Sequence, residues 1–589
     1  IAEFGFGTGL NFLTTWQRFR QIADKNNSLC FTSFEMHLLS PQLLRESLAS
    51  YESLAELAEE MILKIPQINN GVHQLEFDNG RVILQLHLGD AAKSLKEIEG
   101  KFDIFFLDGF TPSKNPALWS EDIFRQMARH SKKGTTFSTY TAVGQIRRDL
   151  QSMGFTVERI KGFGYKRHMM RGVYEGYDKA PSLTPPYFRL PKMNVKENPK
   201  IAIIGAGLAG TNLARVLGRF SDDVHLFDQH SSEAQEASGN SQGMLMPLLS
   251  KKIDPLGTLT KIGFFHSVNT LNELGVPMNK GLLELVVNES REKRLAESCQ
   301  RFDKNFAEYL TKDDVNTRFQ LNLPVDAVLQ PLSCALSPKL YCQKNLEQAK
   351  ATCHYNSKIN ELIKEEEAWR LKIEDEEDFL ADIVVLANAN AALQFSQTSH
   401  LPIRRARGQL LEIPQEFFTQ PITHTLNFKN YLIAPNAEGF ALLGASFHID
   451  DQETDVRQDD TDRLLETLRE VYPGLLGDNF DLSQCRTRVA FRAVTPDHYP
   501  IVGPAPDHQA YIDSYSELKY GRPISRYPDA QYHENLYLSI AHGSRGLMST
   551  SISAELVAAE IFGRDLPFNR TMMNHLHPGR FLVRECKKH

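Results

Sequence analysis

Short apolar runs that stop at glycine or another small residue recur along this chain, and they predict its architecture. Ile1-Ala-Glu3-Phe4, Phe31-Thr-Ser-Phe34, Val82-Ile-Leu-Gln-Leu-His-Leu88 and Phe102-Asp-Ile-Phe-Phe-Leu107 fall in the first third; Ile201-Ala-Ile-Ile204, Val224-His-Leu-Phe227, Ile383-Val-Val-Leu-Ala387 and Leu536-Tyr-Leu-Ser-Ile-Ala541 follow. Such runs are too short for helices and mostly lack polar alternation, the pattern of parallel strands covered on both faces. After Gly210 the period changes, and Thr211–Arg219 reads as an amphipathic helix; a second helix is expected from Gly546 through Glu560. Phe440-Ala-Leu-Leu-Gly444-Ala-Ser-Phe447 and Tyr431-Leu-Ile-Ala434 read instead as antiparallel strands. The expected class is α/β, with an antiparallel α+β portion inserted in the later part.

The clearest junction is Ile201-Ala-Ile-Ile-Gly205-Ala-Gly207-Leu-Ala-Gly210. It reads as a strand, a glycine turn and a helix, the opening of a Rossmann-type dinucleotide-binding unit. Gly205 permits the turn, Gly207 lets backbone N–H groups approach a pyrophosphate, and Gly210 lets helix and strand pack closely; the helix N-terminus favours the anion. Asp228 closes the next strand, where an adenosine ribose hydroxyl needs an acceptor. These residues alone leave NAD and FAD equally open. Ser238, Gly239, Asn240 and Gly243 form a loop able to lay backbone donors against a flat ring, Asn388 ends a buried strand, and Gly543-Ser544-Arg545-Gly546 repeats the strand-to-glycine turn. Because these pieces are scattered, the dinucleotide domain is expected to be discontinuous.

Composition narrows the classes. A chain of 589 residues exceeds what one core organises. Its net charge of −7 means that any polyanion must be met by a local patch. No run approaches the roughly 18 apolar residues of a membrane span, so no membrane partner is expected. Seven cysteines without a CxxC pair or metal-ligand spacing predict free thiols in a reducing cytoplasm and no metal site. The chain opens at Ile1 already inside a strand and without a signal-peptide pattern, so a preceding segment is expected.

In the first third the rhythm is Glu3-x-Gly5-x-Gly7-Thr8-Gly9-x-Asn11. This spacing resembles motif I of S-adenosylmethionine (SAM) methyltransferases. The resemblance implies that the small residues admit a ribose and an amino-acid tail, with Glu3 pairing the ammonium, Glu35 accepting the ribose hydroxyls and Asp90 lying near the adenine amino group. Asp108 closes the Phe102–Leu107 strand, where open α/β sheets hold their ligands, and is the candidate catalytic residue. The loop after it, rich in turn formers, carries Lys114, Asn115 and Trp119, an aromatic expected to be exposed, as candidate substrate contacts.

From Lys161 the chain turns basic, with Lys161, Lys166, Arg167, Arg171, Lys179, Arg189, Lys192, Lys196 and Lys200. Aromatics are interleaved in Phe163-Gly-Tyr165-Lys-Arg-His168, a composition suited to phosphate contact and base stacking or, equally, to a solvated linker face. Prolines 181, 185, 186, 191 and 199 predict a stiff connection. The expected division is 1–178 for a SAM methyltransferase domain truncated at its N-terminus, 179–199 for a Pro-rich basic linker, and 200–589 for an oxidoreductase. In that last part the cofactor is expected on about 200–255, 335–400 and 530–565.

The Gly543-Ser-Arg-Gly546 turn, Arg407-Gly-Gln409 and Thr495-Pro-Asp497-His-Tyr-Pro-Ile-Val-Gly503 resemble motifs of the glycine and D-amino-acid oxidases, which favours FAD over NAD. Arg492 and Arg545 are candidates for binding a substrate carboxylate, since guanidinium offers a planar two-pronged donor. Together with motif I and the Leu107-Asp-Gly-Phe-x-Pro-x-Lys-Asn-Pro-x-x-Trp119 loop, these stretches resemble the bifunctional tRNA 5-methylaminomethyl-2-thiouridine biosynthesis proteins. The resemblance implies FAD-dependent removal of a carboxymethyl group from a wobble uridine of tRNA, then SAM-dependent methylation of the freed amine with Asp108 as base; a monomer is expected. A fused oxidase and methyltransferase acting on small N-substituted glycines, without RNA, is the alternative.

Overall fold

The computed structural model describes residues 1–24, 27–66, 71–164, 166–176, 183–191 and 196–588. Tyr165, Lys179, Pro181, Lys192 and the boundary expected at 178/179 lie outside them. The chain forms two compact units, one of Ile1–Pro185 with Asp565–Met573, the other of Pro186–Arg564 with Asn574–His589.

The first unit is built on one eight-stranded sheet. Its strands are β1 (Ala2–Phe4), β2 (Leu29–Glu35), β3 (Gly71–Phe77), β4 (Val82–Leu88), β5 (Phe102–Leu107), β6 (Ser131–Thr139), β7 (Phe155–Lys161) and β8 (His168–Tyr174), in the order β3-β4-β2-β1-β5-β6-β8-β7. The run from β4 to β6 is parallel, and β3, β8 and β7 add antiparallel edges. β3 has no counterpart among the sequence expectations. Side chains alternate between two apolar layers: Phe31, Leu84 and Leu86 pack with Phe12 and Trp16 of the Leu10–Ile22 helix, while Phe4, Phe34 and Phe105 pack with Phe124 and Met127. Covering both faces explains why these strands read as apolar runs. The strand order reverses between β1 and β5, which opens a crevice beyond their carboxyl ends.

The segment Asp565–Met573, expected with the second unit, packs in the first. Gln85 donates to the Leu566 carbonyl at 2.9 Å, and Glu97 accepts from Thr571 Oγ1 at 2.7 Å. The expected linker also differs. Tyr187 is buried with Tyr511 and Tyr515, Arg189 pairs with Asp529 at 2.5 Å and Lys196 with Asp382 at 2.8 Å, so the described residues from 186 to 200 are packed parts of the second unit.

In the second unit a six-stranded sheet runs in the order Ala351–His354, Val224–Phe227, Ile201–Ile204, Ile383–Leu386, Tyr532–Ile540, Ile501–Pro506. The first five strands are parallel; Ile501–Pro506, outside the expected cofactor-binding parts, closes the edge antiparallel. The helix after Gly207 spans Leu208–Leu217 and is buried nearly all round, not amphipathic, because it packs between the Pro338–Gln348 and Gly546–Phe562 helices. Its polar Asn212 is satisfied internally, donating to the Leu208 carbonyl at 2.8 Å and accepting from Tyr341 at 2.9 Å. A ten-stranded, mostly antiparallel sheet includes Gly243–Leu245, Ala327–Leu336, Arg404–Pro414, Tyr431–Ile433, Phe440–Gly444 and Arg486–Val494. Gly243, expected with the cofactor loop, therefore begins a strand of this sheet.

Candidate active sites

At the crevice of the first unit, β1 delivers Glu3 and the turn Gly5–Gly9, β2 delivers Glu35, β4 is followed by Asp90 and β5 by Asp108. Gly5, Gly7 and Gly9 all have positive φ, which favours glycine. A Cβ on Gly5 would stand 2.9 Å from Gly109 Cα, whereas one on Gly7 would meet nothing within 4 Å, so the turn is tight against β5 and open toward the crevice. Asn11 links two of the acids: its Nδ2 donates to Glu3 Oε1 at 2.8 Å and to Asp108 Oδ2 at 3.0 Å. Glu3 is buried, and Ser33 Oγ also donates to it at 2.6 Å. Burial pushes its carboxyl up to about 8; Ser33 and Asn11 oppose the rise, and the Asp108 and Glu35 charges add to it. Glu35 accepts from Gly7 N at 3.2 Å and His37 N at 2.9 Å. Asp90 caps the short Ala91–Lys96 helix through Lys93 N, and Thr8 lies in the glycine turn.

The loop after Asp108 corrects one expectation. Trp119 is 7% exposed, sits in the core beside Tyr140 and donates its indole N–H to the Phe110 carbonyl at 2.8 Å. It braces the loop from inside, because the Pro116–Trp119 turn folds it under the sheet layer. The exposed aromatic is Phe110, at 75%. Lys114 is exposed and Asn115 half-buried, its N–H closing a turn on the Thr111 carbonyl.

In the second unit a cavity of about 490 Å³ is lined by Gly205, Gly207, Asp228, Ser238, Asn240, Gly243, Asn388, Arg492, Gly543, Ser544, Arg545 and Gly546. Gly210 and Gly239 do not line it and act by close approach. A Cβ on Gly210 would lie 1.7 Å from the Gly205 carbonyl oxygen, and one on Gly239 would lie 2.2 Å from that of Ala234. Ser238 Oγ accepts from Leu208 N at 3.0 Å, which draws the Ser/Gly loop across the helix N-terminus. Asp228 accepts from Ala206 N at 2.6 Å and His230 N at 2.9 Å. The Asn388 side-chain oxygen is buried with no hydrogen-bond partner among the described residues.

Arg492 and Arg545 both reach the cavity. Burial lowers the Arg545 guanidinium below its usual value, partly offset by Tyr499. Burial pushes the Tyr431 phenol up, and the Arg492 charge beside it opposes that with a smaller downward effect. Arg492 also lies over Gly408, where a Cβ would come 2.7 Å from Nη1, so the glycine beside Arg407 is what leaves room for it. Arg407 itself is fully buried and structural, donating to Asp460 at 2.5 Å and Gln409 at 3.0 Å. Sequence reasoning missed Tyr431, Phe447, Lys429 and Arg488. Arg488 donates to the Gln235 and Glu236 carbonyls at 2.8 and 2.7 Å and so holds the Ser/Gly loop. Tyr431 and Phe447 carried a signal, aromatics at the ends of recognised strand stretches; Lys429 and Arg488 carried none. His542 lines the cavity, its ring held between Ser549 at 2.8 Å and Ser539 at 3.2 Å, and desolvation pushes it down to about 4, so it stays neutral.

Residues 200–560 match the family described as FAD dependent oxidoreductase, and 52–175 the family described as S-adenosyl-L-methionine-dependent methyltransferase. The tRNA 5-methylaminomethyl-2-thiouridine biosynthesis bifunctional protein MnmC of Pseudomonas syringae pv. tomato is 34% identical over 99% of this chain and 90% of its own length. The chain belongs to the MnmC family. The MnmC proteins of Stutzerimonas stutzeri, at 33% over 99% of this chain and 89% of their own, and of Pseudomonas putida, at 34% over 99% and 90%, agree. Among solved structures, glycine oxidase from Geobacillus kaustophilus is similar with a TM-score of 0.52 and 17% identity, covering 65% of this chain and 99% of that one. Iminodiacetate oxidase from Chelativorans sp. gives 0.50 and 18%, over 62% and 96%. These likenesses show the fold of the second unit.

As an MnmC family member the chain is a methyltransferase and an FAD-dependent oxidoreductase, with SAM and FAD as cofactors. The residues fit both groups. For FAD there is a glycine-floored cavity at a helix N-terminus with an orphaned amide oxygen in its wall; for SAM there is an open glycine turn ringed by acids. No helix among the described residues is long and apolar enough to cross a membrane.

Proposed function

We propose that this enzyme modifies a wobble uridine of tRNA in two steps, removing the carboxymethyl group from 5-carboxymethylaminomethyl(-2-thio)uridine and then methylating the exposed amine. The observation that carries the reading is similarity to MnmC proteins over 99% of the chain, both units included. When bound, FAD accepts the electron pair of the cleaved C–H bond and SAM supplies the methyl group. Around these, the chain's own residues bind and orient. Arg492, braced by Tyr431, and Arg545 hold the substrate carboxylate, which makes the carboxymethylamino group resemble an N-substituted glycine. Loss of the hydride from carbon leaves a C=N bond; water adds to it, the C–N bond breaks, and glyoxylate departs from the aminomethyl uridine.

In the first unit Asp108 removes the ammonium proton of that amine. An alkyl ammonium with a lysine-like pKa is largely protonated and unreactive at neutral pH until a base acts. Asn11 fixes the carboxylate by donating to Oδ2 and leaves Oδ1 to receive the proton. Glu3, Gly5, Gly7, Thr8, Gly9, Asn11, Glu35 and Asp90 hold the methyl donor, so catalysis is mainly in-line positioning. Free thiols at all seven cysteines agree with a cytoplasmic setting. The test is glyoxylate release by the purified full chain from tRNA bearing the carboxymethylaminomethyl group, beside release from free N-methylglycine. Turnover on the tRNA far above that on the small amine supports the reading; the reverse order assigns the chain to small-molecule oxidation.

A further inference from the structure

No described large hydrophobic side chain is more exposed than Phe163, at 92%. It crowns the turn between β7 and β8, and that turn is shaped: Gly162 N donates to the Arg167 carbonyl at 3.2 Å, Lys166 N to the Phe163 carbonyl at 3.2 Å, and Gly164 has φ +60°. Its place follows from register. Leu107 of β5 pairs with Thr139 of β6, and Thr139 with Met170 of β8, so His168 and the turn project from the edge where β5 delivers Asp108. Lys166 Nζ stands 3.7 Å over the Tyr140 ring, and Tyr140 Oη donates to the Gly109 carbonyl at 2.7 Å, which ties the turn to the residue after Asp108. Lys161 and Arg167 have no ion pair among the described residues, and nearby Glu158 is taken by Arg171 at 2.8 Å. A second exposed aromatic, Phe110, rises from the Asp108 loop.

We infer that the described residues of the β7–β8 turn, Lys161–Gly164 and Lys166–His168, are the RNA grip of the methyltransferase unit, an inference that rests on the tRNA reading above. Phe163 stacks on an unpaired base beside the target nucleotide, and Lys161 and Arg167 neutralise the flanking phosphates. Lys166 stays on Tyr140 and transmits the position of the turn to the Asp108 loop. The occupant is a single-stranded loop, because duplex bases are already stacked and present no free face to an aromatic ring. A chain of net charge −7 needs such a local cationic site to hold RNA.

The experiment is fluorescence anisotropy of a labelled anticodon stem-loop with the full FAD-loaded chain across a salt series. Phe163→Ala weakens binding about 5- to 150-fold, the range for loss of one base stack, and Phe163→Tyr restores it. Lys161→Gln with Arg167→Gln lowers the log–log salt slope by about 0.7 per cation removed. Melting temperatures matching the wild type establish that the variants are folded. Wild-type RNA binding that Phe163→Ala leaves within about twofold overturns this inference alone, including in favour of a protein partner for the turn. No RNA binding by the wild type overturns the functional reading and this inference with it.

Discussion

SAM affinity should depend on the proton carried by Glu3. The side chain is 1% exposed, held by Ser33 and Asn11, and burial with the neighbouring acids sets its carboxyl at about 8. At pH 7 only about one site in ten is then ionised. A ligand whose ammonium pairs with the carboxylate must select that fraction, at a cost of about 1.4 kcal/mol, tenfold in affinity. The sign follows: binding favours the deprotonated form, so affinity rises about tenfold from pH 6 to 7 and continues upward toward 8. Above that the α-amino group of the ligand, with an ordinary pKa of about 7.7–8.0, loses its own proton and affinity falls. Titration calorimetry in two buffers of different ionisation enthalpy should therefore register release of close to one proton at pH 7. Glu3→Gln should bind weakly, with no rise between pH 6 and 7.5. A flat wild-type affinity over that range, with no proton released, would refute the pairing of Glu3 with the ammonium.

Three further outcomes are expected. Asp108→Asn should lower methyl transfer by about 10²- to 10⁴-fold, the contribution of a positioned base, while glyoxylate release continues; parallel loss of both activities sinks the separation of sites. Gly210→Ala places a Cβ about 1.7 Å from the Gly205 oxygen, so helix and strand must part, costing about 3 kcal/mol or more, and the protein should purify without flavin absorbance. Glu560 is buried, burial lifts its carboxyl from 4.5 to about 8, and its Oε2 has no partner among the described residues. The native state thus holds a proton that the unfolded chain releases near 4.5, so stability falls as pH rises from there toward 8. Flavin-fluorescence melting of Glu560→Gln should lose that slope, and a slope unchanged from wild type contradicts it.

The parts of the fold that could be read from sequence are those where backbone geometry restricts residue type. The glycines at 5, 7 and 9 need positive φ, those at 205 and 210 admit a neighbouring backbone, and both sets stand beside strands that have no polar face to solvent. Strand-end acids were readable for the same reason, since their positions follow from where an apolar run stops. Contacts made by tertiary pairing were not. Gln85 meets Leu566 across most of the chain, β3 is a strand only because β4 pairs with it, and nothing near Trp119 in sequence marks the core that encloses it. The brace of Tyr431 on Arg492 belongs to the same class, because it joins strands separated by other elements of the ten-stranded sheet.

The central claim is that one chain performs both steps on tRNA, and nucleoside mass spectrometry tests it most directly. Hypomodified tRNA carrying the carboxymethylaminomethyl uridine is incubated with the full chain and FAD, first without SAM and then with it. The account predicts the aminomethyl nucleoside in the first case and the methylaminomethyl nucleoside in the second. Carboxymethylaminomethyl uridine recovered intact under both conditions, from protein that retains its flavin absorbance, would contradict it.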